Sequence, residues 1–126
     1  MKLLLDTHVV IWALGEPALI PAHVGDLVTD PANEVLVSAV SGYEIEFKRP
    51  RSAELSRLPA DLRSAVETVG FFWLPITEVH AITAGRLPRL HGDPFDRLLA
   101  AQGLTEAASV VTVDPLIAPY GVPTIW

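Results

Sequence analysis

The chain contains no cysteine, so it forms neither a disulfide nor a thiolate metal site, and any metal must be held by oxygen or imidazole. That lack fits a reducing compartment. Long apolar runs are also missing: charge, proline or glycine interrupts each one well short of the roughly 18 to 20 residues that a bilayer span needs. The opening MKLLLD meets an acid after three leucines, where an export signal needs about 7 to 15 apolar residues. The expectation is a soluble cytoplasmic protein with no membrane partner. Positive charge is scarce, with nine Lys and Arg against fifteen Asp and Glu and a net charge of -6. That balance argues against a protein that coats duplex nucleic acid by broad phosphate neutralisation. A local nucleic-acid site stays open, because Lys48, Arg49, Arg51, Arg57 and Arg63 crowd one short stretch.

What is present is a chain of 126 residues, half of them apolar, the size of one domain with a substantial core. KLLL at 2–5 reads as a short buried strand ending at Asp6, and VVIWAL at 9–14 as a buried helix closed by Gly15 and Pro17. A helix over 21–30 follows. EVLVSA at 34–39 reads as the second strand, and Ser41 and Gly42 open a helix that stops before Pro50. Residues 59–69 form a helix, 71–76 a third strand and 77–87 another helix. A helix over 94–107 carries an apolar stripe, Phe95, Leu98, Leu99 and Gln102. Beside it runs a row of small residues, Ala100, Gly103 and Ala107, on the side of Asp96, where a neighbouring backbone can come close. SVVTV at 109–113 is the fourth strand, Asp114 and Pro115 begin a short turn of helix, and VPTIW makes a final strand or edge. Alternating strands and helices predict an α/β fold, a central parallel sheet of four to five strands covered on both faces, as a single domain over 1–126.

In such sheets ligands bind beyond the carboxyl ends of the strands. Asp6 and Asp114 follow the first and fourth strands, and Glu44 and Asp96 are expected in the first turns of helices. Each position has a capping explanation. Asp93-Pro94 is an N-cap followed by proline at the first helical position, with Asp96 in the positive first turn; Ser41 to Glu44 matches a capping box; Asp114-Pro115 repeats the Asp-Pro start. Capping gives no reason for four acids to share one pole, whereas Mg²⁺ or Mn²⁺ does, since it takes hard oxygen ligands from one or two carboxylates plus water and phosphate. Asp93 is assigned to the cap. Thr112 reads most simply as a strand threonine without a role, and Arg97 either as a surface residue or as a partner to an acid or phosphate. His8 is read as structural and His91 as a loop residue, while His23 and His80 lack partners at metal-ligand spacing.

Four stretches, LLLDTHVVIWAL, VSAVSGYEIEFK, HGDPFDRLLAAQ and VVTVDPLIAPYGVPTIW, cover nearly the whole chain in order, and in them it resembles the PIN-domain ribonucleases, above all the VapC-like toxins of type II toxin-antitoxin systems. The resemblance implies a three-layer α/β/α fold. It also implies an acidic tetrad at Asp6, Glu44, Asp96 and Asp114, with Asp6 and Asp96 as the principal metal ligands, and Mg²⁺- or Mn²⁺-dependent hydrolysis of RNA. A VapB-like antitoxin and a second copy of the chain are the partners it implies. One departure stands before Glu44, where Gly42 and Tyr43 replace the bulkier residue and tryptophan that many relatives carry.

Three rivals remain. A phosphatase of the haloacid dehalogenase type needs a second Asp two residues after the first, where this chain has His8. A Mg-binding receiver-like module needs a late lysine, and none follows Lys48. A catalytically inactive PIN-like interaction module is separated from an enzyme by metal-dependent cleavage of RNA.

Overall fold

A computed structural model describes all 126 residues. Its strands are β1 (Lys2–Leu5), β2 (Glu34–Ser38), β3 (Phe72–Leu74), β4 (Ser109–Val111) and β5 (Thr124–Ile125). They form one sheet in the order β3-β2-β1-β4-β5, with every neighbouring pair parallel. The receiver reading fails here, since its order would be 2-1-3-4-5. The helices are α1 (Thr7–Gly15), α2 (Ala22–Thr29), α3 (Ala39–Lys48), α4 (Ala53–Ser56), α5 (Leu62–Thr68), α6 (Glu78–Arg86) and α7 (Pro94–Thr105), with short 3-10 turns at 17–19, 49–51 and 118–120.

Alternation along the strands divides the core in two. Leu3, Leu5, Val35, Val37 and Val111 point to one face and pack on Val9, Val10, Val24, Val28, Leu55 and Leu62 of α1, α2, α4 and α5. Leu4, Leu36, Leu74 and Val110 point to the other and pack on Leu99 and Ala100 of α7 and on Ile117 and Tyr120. Both faces are covered, so the central strands are apolar throughout rather than alternating with polar residues. α6 packs against α7, and α3 touches both α1 and α7. The expected three-layer α/β/α architecture, with a parallel sheet at the upper end of the four-to-five range, is what folds.

The small-residue row on α7 has a geometric cause. A Cβ on Gly103 would lie 2.6 Å from Val122 Cγ2 and 2.9 Å from Val110 Cγ2, so the helix seats directly on β4 and the segment leading to β5. α7 ends in a left-handed residue, Ala107 with φ 53°, and the Ala108 N–H reaches back to the Gly103 carbonyl at 2.9 Å. That is the Schellman closure, made here without its usual glycine.

Several boundaries differ from the sequence-based expectation. α1 begins at Thr7, two residues before the apolar run. α3 begins at Ala39 because Ser38, with its hydroxyl accepting the Val40 N–H, is the N-cap. The Ser41 to Glu44 capping box is therefore wrong: Glu44 lies beyond the first turn of α3. Asp114 starts no helix either. β4 stops at Val111, and Asp114 bends the chain by accepting the Leu116 N–H at 2.9 Å, an Asx turn. α5 starts at Leu62 behind an Asp61 cap, β3 is confined to 72–74, and α7 is two residues shorter than expected.

Candidate active site

The chain runs from β1 through β2 to β3 on one side, then crosses to β4 on the other side of β1, so β1 and β4 flank the reversal in strand order where ligands bind in such folds. Asp6 leaves β1 there and Thr112 leaves β4. The Asp6 N–H donates to the Val111 carbonyl at 3.0 Å, and the Thr112 hydroxyl donates to Asp6 Oδ2 at 2.5 Å. The same hydroxyl accepts the Asp114 N–H at 2.9 Å. One threonine thus ties the two acids together, and the plain strand threonine of the sequence reading is corrected.

α7 feeds β4 through a short turn and so runs antiparallel to it, which brings its N-terminus to the pole where Asp6 and Asp114 lie. Asp93 is the N-cap as expected: Oδ1 accepts from the Phe95 N–H at 2.9 Å and from Asp96 at 3.4 Å. Asp96 sits in the first turn with its side chain 13% exposed. Burial pushes its carboxyl up to about 7, aided by the charges of Asp93, Asp114 and Asp6 and opposed by His91. Asp6 is 7% exposed. Burial raises it as well and Asp114 adds to the rise, while the Thr112 hydrogen bond and the charge of His8 act the other way. The charges of Asp114 and Asp6 act on Asp96, and that of Asp114 acts on Asp6, as expected of three acids at one pole of the sheet.

Glu44 is placed differently. Its Oε2 accepts from Lys48 Nζ at 2.6 Å, and it lines a hollow with Thr7, His8, Lys48 and Glu54. Ser41, on the same face of α3, is hydrogen-bonded to Thr7 at 2.9 Å, so Glu44 lies near the residue that follows Asp6 but is held by a lysine. Gly42 is not at a helix start. A Cβ there would lie 3.2 Å from the Trp73 ring, so an indole from β3 fills the space beside this glycine.

Arg97 pairs with no acid. Its guanidinium donates to the carbonyls of Ala84, Leu87 and Pro88 at 2.7 to 2.8 Å, closing the C-terminal end of α6 and fixing it to α7. His91 accepts the Asp93 N–H at Nδ1 and turns Nε2 toward the Leu116 carbonyl at 3.3 Å, with Asp96 Oδ2 at 3.9 Å. His80 is buried and structural. Its Nδ1 accepts the Thr77 N–H in a capping box, so Nε2 carries the proton toward Glu106 at 2.9 Å. His8 is exposed.

The family model of the PIN domain matches residues 3–120. The chain belongs to the PIN-domain family. Among solved structures it is similar to VapBC2 from Rickettsia felis bound to a DNA fragment from their promoter, at 15% identity, with 99% of this chain and 98% of that one covered and a TM-score of 0.74. VapBC-1 from nontypeable Haemophilus influenzae is similar at 17% identity, 99% and 97% coverage and a TM-score of 0.71. VapBC-5 from Mycobacterium tuberculosis, a member of the VapBC family of toxin-antitoxin systems, is similar at 25% identity, 94% and 89% coverage and a TM-score of 0.57. No curated protein matches. PIN domains are generally nucleases and typically use divalent metal ions.

The donors of this PIN domain fit such an ion in kind. Asp6, Asp96, Asp114 and Thr112 present only oxygen at the switch point, which suits Mg²⁺ or Mn²⁺. No three acid or imidazole side chains lie close enough to enclose an ion by themselves, and Mg²⁺ is commonly held by one or two carboxylates with water filling the remaining positions.

Proposed function

We propose that this chain is a metal-dependent endoribonuclease hydrolysing RNA phosphodiester bonds, the toxin half of a VapC-like toxin-antitoxin pair. The observation that carries this reading is the presence of Asp6, Asp96 and Asp114 at the β1–β4 switch point, with the carboxyls of Asp6 and Asp96 raised by burial and by neighbouring aspartates. Such crowding without a cation is unfavourable, and a divalent ion relieves it. Asp6 and Asp96 serve as its principal ligands, and Asp114 and Glu44 complete the acidic pocket. A bound Mg²⁺ or Mn²⁺ supplies charge stabilisation to a phosphodiester and a lowered pKa to an attacking water.

The chain's own residues prepare that chemistry. Thr112 fixes Asp6 in orientation and holds the Asp114 backbone beside it. Asp93 sets the start of α7 and thereby the direction of Asp96. Lys48 pairs with Glu44 at 2.6 Å and holds that carboxylate beside Thr7 and His8.

The partners follow from the same reading. Solved neighbours are VapBC complexes, which supports a small VapB-like antitoxin bound to this chain. An amphipathic antitoxin helix suits the hollow along α1 and α4, where Ile11, Ile45 and Leu55 sit beside Glu44 and Lys48. A homodimer and a cytoplasmic location complete the proposal; no helix is long and apolar enough to cross a membrane.

The test is incubation of purified protein with total RNA and Mg²⁺ or Mn²⁺, beside an Asp6→Asn variant and a chelator control. Cleavage by the wild type alone, abolished by chelation, is expected. Equal cleavage by both proteins would end the nuclease reading.

A further inference from the structure

Tyr43 and Phe47 stand one turn apart on the outward side of α3, 58% and 71% exposed. Their rings stack, with centroids 5.7 Å apart and planes 18° from parallel. Phe95, in the first turn of α7, meets Tyr43 at 6.0 Å and directly precedes Asp96. An aromatic row therefore runs from the acid cluster outward along α3. Its far end is cationic, because Phe47, Lys48, Pro50, Arg51 and Ser52 line a concavity of about 680 Å³. Lys48 also lines the hollow that holds Thr7, His8 and Glu44, so the same lysine borders both the aromatic row and the hollow at Glu44.

Packing does not account for these rings, since both are largely in water. Their chemistry matches an unpaired nucleic-acid strand, whose bases stack on flat aromatic faces while its phosphates seek cations. Charge placement favours the same occupant. The chain carries -6 overall, yet five of its nine basic residues fall between 48 and 63. Arg49 is committed to Glu46 and to the carbonyls of Leu55, Leu58 and Pro59, and Lys48 is paired with Glu44 at 2.6 Å, which leaves Arg51 as the cation beside the rings without an acid partner. We infer that Tyr43 and Phe47, flanked by Lys48 and Arg51, form a base-stacking platform for unpaired nucleotides next to the scissile phosphate. This rests on the RNA reading of the neighbouring acids and assigns the residues that hold the strand.

The experiment measures binding of a fluorescein-labelled single-stranded RNA to the full chain in EDTA, by anisotropy, against an abasic oligomer of equal length. Binding is expected to weaken about tenfold to 100-fold in the Tyr43→Ala/Phe47→Ala double variant. It should stay near the wild-type value in Tyr43→Phe/Phe47→Tyr, and be weak for the abasic oligomer in every protein. Light scattering on the same samples should give an unchanged molecular mass. Equal binding by wild type and the alanine variant overturns the platform even if the wild type cleaves RNA. Aromatic-dependent binding without Mg²⁺-dependent cleavage keeps the platform and removes the nuclease. A loss of affinity that accompanies a halved mass overturns the platform and makes the row a contact between copies of the chain.

Discussion

The Thr112 hydroxyl donates to the Asp6 carboxylate across the β1–β4 seam, over 106 residues of sequence, and the same oxygen receives the Asp114 N–H. Replacing it with valine keeps the shape and removes both bonds. Thr112→Val should lower stability by about 1–3 kcal/mol, the range for leaving buried polar groups unpaired. It should also reduce RNA cleavage, while Thr112→Ser retains both. Urea unfolding monitored by circular dichroism, with cleavage rates on the same preparations, checks this.

The raised carboxyl of Asp96 makes metal-free stability depend on pH with a definite sign. Its folded pKa of about 7 lies above the unfolded value of about 3.9, so between them the native state holds more protons than the unfolded state. Stability is then full below pH ~4 and falls as pH rises toward 7. Thermal melts in EDTA should show that fall, and Asp96→Asn should flatten it and be the more stable protein at pH 7.5. Adding Mn²⁺ at pH 7.5 should raise the wild-type midpoint, the stabilisation being about 2.7 kcal/mol at 100 times Kd, and leave that of Asp6→Asn unmoved. A melt whose midpoint rises with pH across this window would show that Asp96 is an ordinary exposed acid.

Gly103 couples packing to the site. A methyl at this position meets Val122 and Val110 within 3 Å, and overpacking of this kind costs about 1–3 kcal/mol. The displaced strand is β4, which leads into Thr112 and Asp114. Gly103→Ala should therefore lose cleavage activity at temperatures where circular dichroism still reports a folded chain, and Gly103→Ser should be at least as damaging.

Ala107 offers the opposite outcome. It is exposed and holds φ 53°, a conformation that costs a residue with a Cβ roughly 1–2 kcal/mol and glycine much less. Ala107→Gly should stabilise the protein by about 1 kcal/mol without altering cleavage, as read from the denaturation midpoint.

How much of this was legible in the sequence depends on the range of the forces involved. Asp93-Pro94 announced its helix correctly because N-cap chemistry is settled within four residues. Asp6 was legible as a strand end for the same reason. Ser38 and Ser41 can each cap a helix, and local pattern favoured the wrong one, since the choice belongs to the sheet: Ser38 pairs with Leu74 as the last residue of β2. Val113 continued the apolar pattern of β4 but leaves the sheet and is half exposed. The partner of Thr112 lies in another strand and the acceptors of Arg97 in another helix, so no periodicity could reveal either. The small row on α7 forecast a close approach, while the identity of what approaches, Val110 and Val122, came only with the fold.

β1 is the central strand, and the acids gathered at its end come from positions 6, 96 and 114. Because β4 must dock against β1 before Thr112 can meet Asp6, no truncated chain ending before that strand contains the cluster. A ribosome making this protein therefore carries an incomplete cluster until Asp114 has been joined, and partial products that stop before it lack this site.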